Sequence, residues 1–231
     1  MAEKLAPSAE AHLQVAREYA RLGVLDFAEK RVARALERDP HLAAAHEMMA
    51  RIWRDWGQAD AALPHVYRAI HYAPQSASAQ NTLGTVLDAL GRLDAARDAY
   101  LRAVALDPDA GWALSNLCYV EFRRGRFDDA RRFCEAALRA APTLAEAHNN
   151  LGLTYAASGD LAGAKSAFLA AGDSANALYN LGIVHLASRR FEEAAAAFES
   201  AVKERPGFTA AKSRAHESKM KALTADNRKQ P

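Results

Sequence analysis

The sequence has little of what marks a nucleic-acid-binding protein, a membrane protein or an exported protein. Its 231 residues carry a formal net charge of only +2, so no overall electric field favours nucleic acid or an anionic membrane. It contains no run of about 18 apolar residues that would predict a membrane-spanning helix. The N-terminal segment MAEKLAPSAE has no apolar stretch after its charges, so we do not interpret it as a signal peptide. These absences predict a cytoplasmic location.

Motifs for chemistry are absent as well. The chain has no phosphate-binding loop and no GxGxxG, and its eight histidines show no spacing with other ligand residues that suits a metal. His12, His46 and His148 occupy one position of a repeat described below, which explains them without a ligand. We therefore expect no enzyme activity, no catalytic residues, no metal and no cofactor.

Cysteine is rare, with Cys118 and Cys134 as the only two. Both fall at positions where the helical pattern predicts a core residue. Free cysteine behaves as a small buried apolar residue. We therefore favour two buried thiols, with a disulfide or a redox pair as the alternative.

Alanine, in contrast, is abundant and regularly placed. One series has steps of 34, 34, 34, 34 and 30 residues, at Ala28, Ala62, Ala96, Ala130, Ala164 and Ala194. Glycine keeps the same spacing at Gly23, Gly57, Gly91, Gly125 and Gly159, and proline does so at Pro40, Pro74, Pro108, Pro142 and Pro206. Within each period, apolar residues three and four apart predict two short amphipathic helices joined at the glycine. Several series in one register identify a repeat protein.

A 34-residue helix–turn–helix unit with these small, aromatic and proline positions resembles the tetratricopeptide repeat (TPR). The resemblance covers residues 9–208 and implies an all-α fold, an α-solenoid or right-handed superhelix of six TPR units with a C-terminal capping helix. The predicted units are 9–42, 43–76, 77–110, 111–144, 145–174, which is short, and 175–208. We expect a flexible lead-in at 1–8 with Ser8 capping the first helix, the capping helix at 209–224, and a disordered tail at 225–231.

Three places depart from the repeat. Pro64 lies inside a second helix, where we expect a late helix start or a small kink. Glu121 stands where other units have a large apolar residue such as Tyr19; we expect Phe122 to pack in its place and Glu121 to pair with an arginine at the rim. The span from Ala171 to Leu181 is four residues short. This predicts either a tolerated loop deletion or a changed superhelix curvature.

The resemblance also implies a partner-binding surface, because the first helices of TPR units line a concave groove. This surface has arginines in the first two units and aromatic residues in the later ones. The residues predicted to bind a partner are Arg17, Arg21, Arg51, Arg54, Asn81, Trp112, Asn116, Tyr119, Phe122, Asn150, Tyr179 and Asn180. The arginines would attract acidic groups, and the stripe formed by Trp112, Tyr119 and Phe122 at helical spacing would bury apolar surface.

Asparagine recurs at the sixth position of three successive units, at Asn116, Asn150 and Asn180. A primary amide both donates and accepts, so such a ladder can hold a peptide backbone whatever its sequence. The alternative is that these asparagines bridge neighbouring helices.

We predict a non-catalytic scaffold that binds a peptide or helical segment of another protein. The alternative is a structural protein that forms homo-oligomers, for instance in a pilus, secretion or envelope assembly of a bacterium, an origin suggested by the Ala- and Arg-rich composition. Nucleic-acid binding through the arginines of the first two units is a weaker third hypothesis, and we expect no nucleic-acid partner. The lysines with which some TPR domains clamp a terminal carboxylate are missing.

Overall fold

The computed structural model describes residues 7–227, and all regular secondary structure in that range is helical. The helices are α1 Ala9–Arg21, α2 Leu25–Arg38, α3 Ala43–Asp55, α4 Ala59–Tyr72, α5 Ala77–Ala89, α6 Leu93–Leu106, α7 Gly111–Arg123, α8 Phe127–Ala140, α9 Ala145–Ala157, α10 Leu161–Ala170, α11 Ser174–Ala187, α12 Phe191–Glu204 and α13 Thr209–Asn227. Consecutive helices from α1 to α12 form six hairpins, which we number one to six, and α13 follows the last of them.

The chain divides into two compact units between Asn116 and Leu117, within α7. In the first unit, the core between hairpins one and two is built from buried alanine, leucine, valine, methionine and isoleucine side chains of α1, α2 and α3. In the second unit, buried residues of α7, α8, α9 and α10 form one cluster, and further clusters join α10 to α11 and α12 to α13. Within each unit, the hairpins that share these clusters therefore bury their apolar faces against each other, as the sequence periodicity requires.

Each hairpin turns at one residue with a left-handed backbone. Gly23, Gly57, Gly91, Gly125 and Gly159 have φ between +72° and +88°, a region that glycine enters without a steric penalty. Hairpin six has Arg189 at this place, with φ of +58°. The same closing hydrogen bond forms there, from Arg190 N to His185 O at 2.9 Å. Arginine therefore makes the glycine turn at a steric cost.

Two repeat positions, the eighth and the twenty-fourth, are buried in all six hairpins. The pairs are Ala16 and Val32, Ala50 and Val66, Gly84 and Tyr100, Cys118 and Cys134, Gly152 and Phe168, and Gly182 and Phe198. A small residue on the first helix thus accompanies an equal or larger one on the second. Where the larger residue is aromatic, no side chain fits opposite: a Cβ on Gly152 would lie 2.5 Å from Phe168 Cδ1.

In hairpin four this contact is a disulfide between Cys118 and Cys134, whose Cα atoms are 5.1 Å apart. The favoured interpretation as two thiols is therefore wrong, although both residues are fully buried as predicted. The signal was present in the repeat register. Because the eighth and twenty-fourth positions of one hairpin face each other, two cysteines placed there must meet.

Glu121 pairs with an arginine as expected but lies deeper than expected. Arg124 Nη1 donates to its two carboxylate oxygens at 2.9 and 3.1 Å. Glu121 is fully buried and Arg124 is half-buried, so the predicted place at the rim is wrong. Charge-assisted hydrogen bonds offset the cost of burying the carboxylate.

Pro64 does not delay its helix. α4 begins at Ala59, in register with the other second helices, so the predicted late start is wrong. Pro64 is the sixth residue of the helix, and its missing N–H leaves only the carbonyl of Asp60 without its helical donor.

The deletion in the fifth unit falls in a helix and not in a loop. α10 has 10 residues, against 14 in α8 and α12. Gly172, with φ of +96°, and Asp173, whose side chain accepts from Asn176 N, make the turn into α11. Arg205, at the end of α12, donates to the Asp173 carboxylate and ties this turn to the next hairpin.

The ends of the described chain differ in part from the prediction. Ser8 Oγ accepts from Ala11 N at 3.1 Å, which confirms the predicted helix cap. α13 runs to Asn227, so residues 225–227 continue the helix where a tail was predicted. The rest of the lead-in, residues 1–6, and of the tail, residues 228–231, lies outside the described residues.

Candidate partner-binding surface

Three of the four predicted arginines line one cavity of the first unit. Arg17 and Arg21 reach it from α1 and Arg51 reaches it from α3, around a volume of about 470 Å³. We call it the arginine pocket. Arg54 is half-buried and points elsewhere: its Nη1 donates to Thr85 Oγ1 at 2.7 Å and its Nη2 to Asp55 Oδ1 at 2.6 Å.

Polar pairs connect the fifth position of one first helix to the sixth position of the next. Asn116 Nδ2 donates to Asn81 Oδ1 at 2.8 Å in the first unit, and Asn180 Nδ2 donates to Asn149 Oδ1 at 3.1 Å in the second. Thr82 Oγ1 donates to Glu47 Oε1 at 3.1 Å in the same register. Two predicted asparagines, Asn116 and Asn180, thus bridge helices. Each of the two asparagine pairs keeps an amide NH₂ and an amide oxygen for a further partner.

Sequence reasoning missed Asn149 in this set, although a signal existed. Asn149 holds the same fifth position in its repeat as the predicted Asn81 does in hairpin three. The sequence does not show that the fifth position of one first helix contacts the sixth position of the next, and Asn149 could not be predicted without this contact. Asn150 is half-buried in α9.

The predicted aromatic residues of α7 reach solvent. In the first unit, Trp112 is 40% exposed. In the second unit, Tyr119 is 37% exposed, and its ring stacks on Phe122 with 6.3 Å between centroids. The guanidinium of Arg123 lies 5.8 Å from the Tyr119 centroid. We call Tyr119, Phe122 and Arg123 the aromatic patch.

Phe122 has a second role below the aromatic patch. Its ring is half-buried and packs on the cluster that contains Cys118, Cys134 and Leu151. This confirms the prediction that Phe122 packs in the core in place of Glu121, whose repeat position holds a large apolar residue such as Tyr19 in other units. It also means that changes at Phe122 affect the core as well as the surface.

Tyr179 is placed differently from the other predicted aromatic residues. Its ring lies 5.4 Å from Phe198 and 5.0 Å from Phe208, centroid to centroid. The ring also packs on the cluster that contains Ala215 of α13. Tyr179 therefore helps to hold α13 on hairpin six and offers less surface to a partner.

Two histidines, the buried His46 and the half-buried His65, form a pair in hairpin two. His46 Nδ1 and His65 Nδ1 are 3.2 Å apart, and His46 Nε2 lies 2.9 Å from the Pro40 carbonyl oxygen. Because a carbonyl only accepts, Nε2 of His46 carries the hydrogen, and its Nδ1 accepts from His65. His148 repeats the contact with the proline carbonyl, with Nε2 2.9 Å from Pro142 O. The shared repeat position thus has a structural use.

Burial lowers the pKa of both histidines. It is the main cause that lowers the pKa of His65 to about 4, and the charges of His46 and Arg68 act in the same direction. Burial also lowers the pKa of His46, with Arg68 and His41 adding to it, while the bond to Pro40 and the charge of Asp39 oppose the shift.

Within residues 7–227, no group of three or more His, Cys, Asp or Glu side chains is arranged to hold a metal ion. Among the helices described, none is both long and apolar enough to cross a membrane.

Comparison with known proteins bears on the fold. One tetratricopeptide repeat model matches residues 48–111, 81–145 and 116–174, and a second matches residues 175–208. No curated protein matches the chain. These repeat matches confirm the predicted class, an all-α solenoid of TPR units.

Solved structures with a similar fold come from several assemblies. The APC/C hetero-tetramer Cut9–Hcn1 superposes with a TM-score of 0.77 at 19% identity over 91% of this chain, which spans only 43% of that chain. PilF of Pseudomonas aeruginosa has a TM-score of 0.70 at 20% identity, covering 92% of this chain and 96% of its own. PilW, a type IV pilus biogenesis factor, has 0.74 at 22%, covering 89% and 96%. At these identities the similarity shows the fold alone.

Proposed function

Because the chain belongs to the tetratricopeptide repeat family, we propose that it is a non-catalytic interaction module that binds an extended peptide or a helix of a partner protein. TPR folds act in general as scaffolds for protein–protein interaction. The finer proposal is that the partner lies on the first helices of the hairpins, where the arginine pocket, the asparagine pairs and the aromatic patch are found.

The aromatic patch is the observation that carries this proposal. Tyr119 leaves more than a third of its surface in water, directly beside a half-buried phenylalanine and a guanidinium. Tryptophan, tyrosine and arginine are enriched among the few residues that dominate the binding energy of protein interfaces. Exposed apolar surface of this kind is typical of a docking surface.

The asparagine pairs supply polar groups suited to a peptide backbone. After Asn116 has donated to Asn81, the Asn81 NH₂ and the Asn116 oxygen remain as a donor and an acceptor side by side. A peptide group offers the complementary carbonyl and N–H. The pair therefore favours an extended segment whose backbone is contacted whatever its side chains.

The test is partner capture with the Tyr119→Ala variant. Proteins cross-linked to the unchanged chain are identified by mass spectrometry and compared with those captured by Tyr119→Ala and by Tyr119→Ala/Phe122→Ala. Tyr67→Ala is the control, because Tyr67 is 53% exposed on a second helix. We expect a partner that is retained by the Tyr67 variant and lost by both others, with equal helical content by circular dichroism. Retention by all variants would reject the aromatic patch as the docking surface.

Self-assembly is the second candidate. Met220 and Leu223 of α13 are 50% and 60% exposed, an apolar surface that a second copy could cover. Light scattering over a range of concentrations distinguishes the two functions. A mass that rises with concentration, and falls back in Met220→Lys/Leu223→Lys, supports homo-oligomers, whereas a constant monomer mass contradicts them. The pilus, secretion or envelope role stays a prediction.

The disulfide bears on the compartment. Disulfides persist in oxidising compartments and are rare in the cytosol of most organisms. The bond between Cys118 and Cys134 therefore favours an oxidising compartment over the cytoplasm predicted from the sequence. Thiol trapping with a maleimide after acid quenching of cells decides between them: an unreacted chain is oxidised in the cell, and a doubly labelled chain is reduced.

A further inference from the structure

The arginine pocket has a charge pattern that specifies the chemistry of its ligand. Five ionised side chains line it: Arg17, Arg21, Arg51, Glu47 and Asp55. Two of these are neutralised by close neighbours. Arg21 Nε donates to Glu18 at 3.1 Å, and Asp55 accepts from Arg54 Nε at 2.9 Å.

Arg17 and Arg51 are the guanidiniums left without an acid. Arg17 Nη1 reaches only the neutral Gln14 amide oxygen, at 3.4 Å, and Arg51 forms no hydrogen bond or ion pair within residues 7–227. Both occupy the ninth position of their repeats, so successive first helices present them to the same cavity. Two guanidiniums that line one cavity are suited to a carboxylate, which can accept from both.

Glu47 limits where that carboxylate can lie. Its Oε1 accepts from Ser78 Oγ at 2.6 Å and from Thr82 Oγ1, both on α5. These two hydroxyl groups orient the Glu47 carboxylate but leave its negative charge unneutralised. A ligand carboxylate is therefore repelled from the α5 side and attracted to the side of Arg17 and Arg51.

The floor of the pocket is apolar. Ala20, Leu25, Met48 and Ile52 line it beneath the charged groups, and Ile52 is almost completely buried. A ligand that carried only charge would leave this floor in contact with water. An aliphatic or aromatic side chain beside the carboxylate would cover it.

We propose that the arginine pocket binds an Asp or Glu side chain within an extended partner segment, with an apolar side chain next to it over Met48 and Ile52. The proposal rests on the proposed function and names the partner chemistry for the first unit. The pocket is lined by α1, α3, α5 and the first residue of α2, so a segment that crosses the first helices of these hairpins passes through the pocket. An internal acidic residue fits this geometry better than a chain end.

The experiment uses the full chain and a phage-displayed library of random peptides fused through their C-termini, which leaves no free terminal carboxylate. Selections are run on the unchanged chain, on Arg17→Gln/Arg51→Gln, and on the control Arg31→Gln/Arg139→Gln. The control removes the same charge from exposed arginines of α2 and α8, outside the pocket. Selected peptides are then synthesised with blocked ends, and their affinities are measured by fluorescence polarisation at low and high salt.

We expect the unchanged chain and the control to enrich peptides with Asp or Glu beside an apolar residue. The pocket variant should bind those peptides about tenfold more weakly or worse, and the difference should shrink at high salt. Equal affinity for the pocket variant, or enriched peptides without acidic residues, would overturn the pocket proposal and leave the interaction module standing. No enriched peptide on any of the chains would count against the proposed function itself.

Discussion

Cys118 and Cys134 form in hairpin four a covalent version of the contact that Gly152 and Phe168 form in hairpin five. Both pairs occupy the eighth and twenty-fourth positions of their repeats. In hairpin five a ring fills the space against a glycine backbone, whereas in hairpin four two sulfur atoms span it. Two separate thiols need more room between their sulfur atoms than a disulfide does. The packing of hairpin four therefore depends on the bond.

Reduction of this disulfide should destabilise the protein. The bond closes a loop of 16 residues, and on the chain-entropy model such a loop contributes about 3 kcal/mol to the free energy of unfolding. Urea denaturation of chain refolded with and without a dithiol measures the difference. Identical denaturation midpoints would contradict the prediction.

The matched control for the effect of the dithiol replaces the two cysteines by glycine and phenylalanine, the residues found at these positions in hairpin five. In Cys118→Gly/Cys134→Phe, the ring should pack against the glycine as Phe168 does against Gly152. We expect this variant to keep its helical content and to show no response to the dithiol. A dithiol response that persists would show that the effect does not arise at this bond.

Gly152→Ala should destabilise hairpin five through a steric clash. The added Cβ would lie 2.5 Å from Phe168 Cδ1 and Cε1, and overpacking of a core costs about 1–3 kcal/mol. Phe168→Val in the same chain recreates the Ala and Val pair of hairpins one and two. We expect the double variant to be less destabilised than the sum of the single ones by about 1 kcal/mol. If the changes in unfolding free energy of the two single variants, measured by urea denaturation, add up to that of the double variant, the two positions do not interact.

Arg189→Gly should stabilise the protein. A non-glycine residue with φ of +58° carries about 1–2 kcal/mol of strain, and the greater freedom of glycine in the unfolded chain cancels about half of the gain. Gly159→Ala is the reverse test, because a Cβ there meets nothing within 4 Å and only its φ of +88° opposes it. The midpoint temperature of thermal denaturation should rise for Arg189→Gly and fall for Gly159→Ala. A lower midpoint temperature for Arg189→Gly would mean that contacts of the arginine side chain stabilise the protein by more than its backbone strain destabilises it.

Acidification should weaken hairpin two through its histidine pair. The pKa of His65 is about 4 in the folded protein, below the value of about 6.5 for an unfolded histidine. Between these pH values the unfolded chain binds a proton that the folded chain excludes. The contribution of His65 is therefore complete above about pH 6.5 and is lost as the pH falls towards 4.

His65→Asn tests this pH dependence, because an amide NH₂ can still donate to His46 Nδ1 but does not titrate in this range. Urea midpoints measured from neutral to acidic pH should fall less steeply for His65→Asn than for the unchanged chain. His71→Asn, at an exposed histidine of the same helix, is the control. Equal slopes for the unchanged chain and His65→Asn would contradict the prediction.

Part of the candidate surface was predictable because it depends on repeat register alone. The positions of Arg17, Arg51 and Tyr119 on first helices follow from a period of 34 residues, and a helix projects residues of equal register in the same direction. The contact between Cys118 and Cys134 could have been derived from the same register. The pair of His46 and His65 could not, since no other hairpin has two histidines at these positions.

The sequence by itself determined the repeat, its helical hairpins and the turn at each glycine, because these depend on the spacing of residues along one short segment. Only the tertiary structure decided how much of each side chain is left for a partner. Tyr119 is 37% exposed, whereas the ring of Tyr179 packs against Phe198 and Phe208. That difference depends on how neighbouring helices pack. Their packing is determined by many contacts between residues that are far apart in the chain.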